Sequence, residues 1–410
     1  MIKNLNEISI INIAWFSFPL FILIRLTAMF LIGDENLKDE WLFIIQNLSG
    51  ENPAGKEMFA TRVVDGEPVP NFFMPPAYPF FIYFLKLFFG NQYLTEIVLI
   101  YQILISVISI FFLYKILIIY FSKRIALFST LIYAILPINI YASIIISSSS
   151  IQLSLLIFYF YFIIKFIRDS KFWNLAIFSI FASILILLRG EFFAFHFLTI
   201  TFLIYKKVSI KKILLSILIT LVLTSPYIIR NYSLFGSISI AKAEGYDLWK
   251  GNNPNAGVEG NETLKLDSNK ILKEKIEQLP PSKDYDLIID RLFKEQALIF
   301  IKSDPVKYII LYLKKFLTFL FINLDSNYPG YYNFFHIVPK LILSFTTVIS
   351  FFYLKKKDDF LIFCALYYLA TISIFSVFFI LPRYSLSVLP LQLFLFSFYL
   401  DKLKLKFFRN

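Results

Sequence analysis

The chain has 410 residues, of which 58% are hydrophobic and 19% aromatic, and its formal net charge is +12. A mean hydropathy of +0.70 lies far outside the range of soluble globular proteins, which excludes a soluble multidomain enzyme. The basic residues fall in short clusters between apolar runs rather than on one basic face, so no nucleic-acid partner is expected. These properties predict an all-α polytopic membrane protein.

The first apolar run, roughly residues 8–32, is long enough to cross a bilayer, which takes about 20 apolar residues. No small-residue cleavage site follows it, so it is expected to be retained as the first helix. Four acids come directly after it: Asp34, Glu35, Asp39 and Glu40. Carboxylates at a membrane–water boundary are candidate general bases. The alternative is a solvated loop that simply ends the helix.

The orientation follows from the basic clusters, because lysine and arginine favour the cytoplasmic side of short loops. Placing every cluster inside predicts about ten spans, within a range of nine to twelve, and puts both termini inside. The predicted spans lie near 8–32, 94–120, 125–143, 149–167, 174–188, 191–205, 212–229, 336–354, 359–380 and 384–401.

Two further apolar segments, 76–89 and 306–322, do not fit as spans. The first is short and carries Lys86, and the second has Lys314 and Lys315 at its centre, where charges are expensive in hydrocarbon. Both are predicted to be interfacial helices. The chain then divides into a catalytic membrane core (1–229, with the external loop 33–93), a small external region with an interfacial helix (230–335) and C-terminal membrane helices (336–410).

Three arginines lie at predicted external helix ends, against the positive-inside trend: Arg189, Arg230 and Arg383. The planar guanidinium fork suits a pair of phosphate oxygens, and a basic cluster stabilises a phosphate leaving group. Each arginine alone would more simply anchor a helix end among lipid headgroups. Three of them on one face with an acidic loop favour a functional site.

Other polar residues of the apolar runs have simpler interpretations. Arg25 lies inside the first span, and the sequence leaves open whether it snorkels outward or pairs with an acid. The serines of 147–150 have no histidine or aspartate beside them, and we expect them to hydrogen-bond across helices. His196 and His336 are isolated, and the single cysteine, Cys364, excludes an intrachain disulfide. A nucleotide site is not expected, because no Gly-rich loop opens a helix.

Three stretches carry a family likeness in chain order. They are the loop from Asp39-Glu40 through Pro75-Pro76-Ala77-Tyr78-Pro79 to Phe89-Gly90, the step Leu187-Leu188-Arg189-Gly190-Glu191, and the run from Ser225-Pro226-Tyr227 through Arg230-Asn231-Tyr232 to Leu248-Trp249-Lys250-Gly251-Asn252-Asn253-Pro254. Together they resemble the GT-C superfamily of membrane glycosyltransferases. The likeness is to the bacterial branch related to protein O-mannosyltransferases and the lipid A aminoarabinose transferase.

The resemblance implies transfer of a sugar from a polyprenyl-phosphate donor to a lipid, glycan or protein acceptor on the external face, with inversion by analogy. It also implies that an aspartate of the first external loop is the general base. Asp39 is the first choice, because Phe43 follows it as in the family pattern, and Asp34 is the second. Glu40 and Glu35 complete the two acidic pairs, and the three external arginines are the expected phosphate ligands.

Glu191, Asn231, Tyr78 and Trp249 lie in the same motifs and are predicted to contact substrate. Relatives differ in whether they use a divalent metal at the acidic site, so the metal is left open, and no other cofactor is expected. Membrane lipids are expected partners. The predicted location is the inner or plasma membrane, with the active site on the external or periplasmic face. The rival interpretations are a transporter, a flippase or polymerase of lipid-linked glycans, and a non-catalytic scaffold.

Overall fold

The computed structural model describes residues 18–37, 45–46, 61–64, 66–263, 270–328, 332–356 and 358–403. Asp39, Glu40 and Phe43 lie outside these residues, whereas Asp34 and Glu35 lie inside them. The structure therefore describes only one of the two acidic pairs.

Helices make up most of the described chain, as expected where backbone groups cannot be hydrated and must pair within their own segment. The first part contains α1 (Phe18–Ile32), α2 (Ala77–Phe89), α3 (Leu94–Tyr120), α4 (Lys123–Ile135), α5 (Pro137–Ile144), α6 (Ser148–Asp169), α7 (Phe172–Leu188), α8 (Phe192–Tyr205) and α9 (Ile210–Phe235). The second part contains α10 (Glu244–Asn252), α11 (Lys270–Glu277), α12 (Tyr285–Ser303), α13 (Pro305–Leu320), α14 (Phe334–Tyr353), α15 (Asp359–Val377), the 3-10 helix Pro382–Val388 and α16 (Leu389–Leu403).

Among the described residues, six helical segments are long and apolar enough to cross a bilayer: α3, α6, α9, α14, α15 and the stretch from the 3-10 helix through α16. Helices α4 and α5 pass the same test together but bend by 49° at their junction, which gives up to seven spans. The multi-pass helical class is confirmed. The total of about ten spans stays a prediction, because three predicted spans correspond to the shorter apolar helices α1, α7 and α8.

A small hairpin in the 33–93 loop, which the sequence predicts to be external, adds to the predicted helical fold. Strands β1 (Thr61–Val64) and β2 (Glu67–Pro70) pair antiparallel, and Gly66 adopts a positive φ of 85° between them. This conformation favours glycine, which has no Cβ. Val64 and Val69 pack against Tyr285 at the start of α12. The hairpin of the loop before α2 is therefore docked on α12.

The N-terminal and C-terminal membrane helices share one core. Helix α6 packs against α3 and α7, and α7 packs against α9. The Phe160 ring of α6 lies 5.7 Å from the Tyr367 ring of α15 and 6.1 Å from the Phe394 ring of α16. Such edge-to-face pairs add specificity to apolar packing.

The serine run is a helix cap rather than a bridge between helices. Ser147 Oγ accepts a hydrogen bond from the Ser149 backbone N–H at 3.3 Å, which caps the N-terminus of α6. The Ser150 carbonyl accepts from Ser154 Oγ one turn later. The prediction of bonds across helices is wrong for these contacts, because a serine before a helix satisfies the free backbone N–H groups there.

Helix α10 is held closely on both sides. A Cβ at Gly245 would lie 1.9 Å from the Asp290 carbonyl oxygen, and a Cβ at Gly251 would lie 1.9 Å from the Phe378 carbonyl oxygen. The Asp290 carboxylate accepts a hydrogen bond from the Gly245 N–H at 2.7 Å. Both ends of α10 are therefore fixed against neighbouring backbone, which fixes the side chains that α10 presents to the membrane helices.

Candidate active site

Asp34 is fixed to the connection between α5 and α6. Its backbone N–H donates to the Ile144 carbonyl at 3.2 Å, and its Oδ2 accepts from the Ile146 N–H at 2.7 Å. Its other carboxylate oxygen, Oδ1, accepts no hydrogen bond from the described residues. Glu35, the next residue, is exposed. The structure thus orients the Asp34 carboxylate and leaves one oxygen for another group.

Tyr78 lies behind this carboxylate. Its hydroxyl donates to Gln102 Oε1 at 2.8 Å, and Gln102 Nε2 donates to the Ile145 carbonyl at 2.9 Å. These bonds join α2 and α3 to the connection between α5 and α6, to which Asp34 is also bonded. Asp34 interacts electrostatically with Tyr78. Tyr78 is 2% exposed. Through Gln102 it stabilises, from inside the protein, the connection to which Asp34 is bonded.

Arg189 occupies the tight turn between α7 and α8. Its backbone N–H donates to the Leu185 carbonyl at 2.9 Å, which closes the last turn of α7. Its Nη1 lies 3.3 Å from Glu191 Oε1, and both side chains are partly exposed. Tight charge-assisted bonds of this kind are about 2.7–2.9 Å long, so Glu191 is a loose partner. The guanidinium also lies over the Tyr384 ring, 5.5 Å from its centroid.

Arg383 approaches the same ring. Its guanidinium lies 6.0 Å from the Tyr384 centroid, and its side chain is exposed. The Tyr384 ring packs on Phe375 at 4.9 Å and on Phe379 at 5.8 Å. Two of the three predicted phosphate ligands therefore converge on one aromatic residue of the 3-10 helix.

The two arginines and Asp34 lie at the same end of the helix bundle. Helices α5 and α6 both pack against the 3-10 helix that carries Arg383 and Tyr384. Asp34 is bonded to the connection between α5 and α6. A carboxylate and two guanidinium groups thus lie on elements that pack together at one end of the helix bundle.

Arg230 has a different environment at the end of α9. Its Nη1 donates to the Asn71 carbonyl at 3.2 Å and to Asn231 Oδ1 at 2.7 Å. Its guanidinium lies over the Tyr227 and Phe235 rings at 5.6 and 5.3 Å. These contacts hold the segment before α2 against α9, so Arg230 acts as a brace. Its predicted contact with phosphate stays a prediction.

Asn231 and Trp249 are buried in structural contacts. Asn231 Nδ2 donates to the Ser239 carbonyl at 2.7 Å and so holds the chain that returns from α9. The Trp249 ring packs against Phe293 at 4.8 Å and is fully buried. Its indole N–H has no hydrogen-bond partner among the described residues. Substrate contact by either residue stays a prediction.

Asp247 of α10 interacts electrostatically with Arg189 and Glu191. The sequence did not predict it as a site residue. Burial raises the pKa of Asp247 to about 7, and the negative charge of Glu191 adds to this effect. The positive charges of Lys250 and Arg189 lower the same pKa. The nearby Lys250 forms an ion pair with Glu262 at 2.5 Å. The available sequence signal was the position of Asp247 directly before the Leu248-Trp249 motif.

The described residues contain no group of three or more His, Cys, Asp or Glu side chains that could hold a metal ion. Asp39 and Glu40 lie outside the described residues, so the use of a divalent metal at the acidic site stays open. His196 is buried and shares a hydrogen bond with the Tyr159 hydroxyl at 2.9 Å, so its environment is that of a residue packed in the core.

A family model described as dolichyl-phosphate-mannose-protein mannosyltransferase matches residues 74–229. The match confirms the resemblance stated above, because this range corresponds to a GT-C-type glycosyltransferase domain. It covers less than half of the chain and includes Tyr78, Arg189 and Glu191. A search of curated proteins gives no match to the chain. The family match and the apolar helices together indicate a membrane glycosyltransferase of the GT-C type.

Proposed function

We propose that the protein transfers a sugar from a polyprenyl-phosphate donor to a lipid, glycan or protein acceptor on the external face of the cell membrane. The observation that carries the proposal is the convergence of Arg189 and Arg383 on Tyr384, at the end of the bundle where Asp34 is fixed. The family match of residues 74–229 supports the reaction class.

The chemistry assigned to this site is an inverting displacement. A carboxylate of the first external loop, Asp39 or Asp34, takes the proton of an acceptor hydroxyl. The acceptor oxygen bonds to the anomeric carbon while the bond from that carbon to the phosphate oxygen breaks, and the electron pair leaves with the phosphate. Arg189 and Arg383 stabilise the charge that develops on the departing polyprenyl phosphate.

Three features of the Arg189 turn suit this role. Its ion pair with Glu191 is long, so a phosphate can replace the carboxylate as partner. The Tyr384 ring holds the guanidinium by a cation–π contact without using its N–H donors. Protonation of Asp247 near pH 7 removes a negative charge that would oppose a phosphate.

The general base is tested by sugar transfer with the purified chain in proteoliposomes. The donors are polyprenyl-phosphate sugars, beginning with mannose, the sugar in the description of the matched family. We expect either Asp39→Asn or Asp34→Asn to lower the rate by about 10²–10⁴, the usual contribution of a general base. Glu96→Gln, on an exposed carboxylate in the first turn of α3, is the matched control. Full activity in both aspartate variants would refute the assignment.

The external orientation is tested by cysteine labelling. Cys364 is the single cysteine and is buried, so Cys364→Ser gives a cysteine-free background. Asn36→Cys then places a thiol at an exposed position beside Asp34. A membrane-impermeant maleimide should label intact cells at this position. Labelling only after the cells are opened would place the acidic loop on the cytoplasmic side.

One observation favours the transporter alternative. Arg25 is fully buried in α1, and its Nε and Nη2 have no hydrogen-bond partner among the described residues. It interacts electrostatically with Tyr133, at the end of α4 just before the bend into α5. Buried charges and broken helices are typical of transport paths. Movement of a lipid-linked glycan across proteoliposomes without acceptor, lost in Arg25→Met, would favour that function.

A further inference from the structure

The chain that follows α10 folds back over that helix and presents an exposed carboxylate, Glu262. The Asn261 N–H donates to the Lys250 carbonyl at 2.8 Å, and Asn253 Nδ2 donates to the Asn261 carbonyl at 2.6 Å. These bonds fix the backbone directly before Glu262 against the end of α10. The Glu262 side chain itself is 61% exposed, so a ligand can reach it from solvent.

One oxygen of this carboxylate is held by the protein, and the other is open. Glu262 Oε2 accepts hydrogen bonds from the Tyr246 hydroxyl at 3.0 Å and from Lys250 Nζ at 2.5 Å. The bond from Lys250, together with that from Tyr246, lowers the pKa of Glu262, so the group is ionised at neutral pH. Glu262 Oε1 accepts no hydrogen bond from the described residues. Because an ionised carboxylate only accepts hydrogen bonds, the open oxygen suits a ligand that donates.

A partly exposed aromatic pair lies beside this carboxylate. The ring of Tyr246, whose hydroxyl holds Glu262, meets the Phe73 ring edge-on at 5.8 Å, and both residues are half-buried. Phe73 belongs to the segment before α2, so the pair lies where that segment meets α10. Ligand sites combine apolar and aromatic walls with a few placed polar groups. A sugar ring, with C–H groups on its face and hydroxyl groups at its edge, matches this combination.

The same carboxylate adjoins the candidate active site through α10. Asp247 and Lys250 are three positions apart on this helix, which places their Cβ atoms about 5–6 Å apart. Asp247 interacts electrostatically with Arg189. The Lys250 ammonium group also lies over the Phe379 ring at 4.8 Å, and that ring packs on Tyr384 at 5.8 Å. A sugar attached to a phosphate at Arg189 would therefore lie beside the ion pair of Lys250.

We propose that Glu262, oriented by Tyr246 and Lys250, binds hydroxyl groups of a sugar ring beside the phosphate site. The inference rests on the proposed function and deepens it by naming a residue that selects the sugar. The ion pair with Lys250 offsets the charge of the carboxylate, so its open oxygen favours a neutral hydroxyl over a second cation. The hydroxyl groups belong either to the transferred sugar or to a glycan acceptor, and the chemistry at Glu262 is the same for both.

The test is sugar transfer in proteoliposomes with donors, and separately with glycan acceptors, that differ from each other by a single sugar hydroxyl. The natural protein should prefer the fully hydroxylated compound about tenfold or more, because its hydrogen bond to a charged group is lost in the deoxy analogue. Glu262→Ala should remove this preference and raise KM with little change in kcat. Glu244→Ala is the matched control, on an exposed carboxylate of the same helix that lies 3.9 Å from Lys242. It should keep the preference.

The source of the hydroxyl groups follows from which preference is lost. A lost preference among donors identifies the transferred sugar as the ligand, and one among acceptors identifies the glycan acceptor. Unchanged preferences in Glu262→Ala, or an equal loss with every compound, would overturn the inference while sugar transfer itself stands. If Glu262→Ala does not fold, Tyr246→Phe removes one of the two bonds that orient the carboxylate, and an unchanged preference there would also overturn it. Absence of transfer by the natural protein would instead refute the proposed function and the inference together.

Discussion

The turn between α7 and α8 and the end of α9 each present an arginine, and the two arginines are held in opposite ways. Arg189 has one loose carboxylate partner at 3.3 Å and lies on the ring that Arg383 also contacts. Arg230 donates to Asn71 and Asn231 between two rings of its own helix. The sequence predicts the same role for both. The contacts distinguish Arg189, whose guanidinium group is available to a ligand, from Arg230, whose guanidinium group stabilises the fold.

This difference shows why a charge at a helix end is weak evidence for a site. A guanidinium group gives specificity where its fork meets matched acceptors. In Arg230 those acceptors come from the protein, so the group stabilises the loop before α2. For Arg189 the acceptor is a partly exposed carboxylate that a substrate phosphate can replace.

The largest expected effect is at the turn between α7 and α8. Arg189→Ala should lower the rate of sugar transfer by about 10²–10³, as observed when one donor to a developing oxyanion is removed. The melting temperature of the purified protein should change little, because the ion pair between Arg189 and Glu191 is partly exposed and such pairs contribute little to stability. Equal rates in the variant and the natural protein, measured with saturating donor, would remove Arg189 from the site.

The opposite pattern is expected at the end of α9. Arg230→Ala should destabilise the fold by about 2 kcal/mol, because it removes charge-assisted bonds to the loop before α2. Thermal unfolding in detergent measures this loss. Arg230→Lys keeps the charge and should recover part of the lost stability. If Arg230→Ala folds normally but loses sugar transfer as strongly as Arg189→Ala, the distinction between the two arginines is wrong.

A smaller effect is expected at Arg383, which is exposed and shares the Tyr384 ring with Arg189. Arg383→Ala should weaken use of the donor about tenfold, as an increase in KM, because one charged contact with the phosphate is lost. Arg291→Ala, at an exposed position of α12, serves as a control for loss of surface charge. An unchanged KM in Arg383→Ala would leave Arg189 as the single guanidinium ligand.

The smallest effect is a pH dependence near Arg189. The pKa of Asp247 is about 7 in the folded protein and about 3.9 in an unfolded chain. The folded state therefore retains a proton that the unfolded state releases in this interval, so this group's contribution to stability falls as the pH rises from about 4 to about 7. Transfer should also fall a few-fold above about pH 7, since the second carboxylate then competes for Arg189.

Asp247→Asn checks both consequences in one variant. Its thermal stability should depend less on pH between about pH 4 and about pH 7, and the decline of its transfer rate above neutral pH should disappear. A pH profile identical to that of the natural protein would show that another group causes the dependence.

Much of the helical fold is predictable, because each long apolar run has to pair its own backbone groups in hydrocarbon. Pro280-Pro281 lies between two helices, since α11 ends at Glu277 and α12 begins at Tyr285, as expected for residues that do not continue a helix. The hairpin was not predicted. Its two four-residue strands are stabilised by packing on Tyr285, far along the chain.

The site is only partly predictable, because contacts between residues far apart in the sequence decide which side chains lie in it. The bond from Arg230 to the Asn71 carbonyl joins residues 159 positions apart, and the electrostatic contact of Asp247 with Glu191 joins α10 to the turn before α8. Local sequence patterns contain neither contact. The choice between Asp39 and Asp34 stays a prediction, because the structure describes Asp34 alone.

The most direct test of the account is a single transfer assay with the full-length protein, a polyprenyl-phosphate sugar and a membrane extract as acceptor. We predict that sugar-labelled acceptor and free polyprenyl phosphate appear in equal amounts, that Arg189→Ala lowers both by about 10²–10³, and that Arg230→Lys retains much of both. Release of neither product from any lipid-linked donor, or equal loss in the two arginine variants, would contradict it.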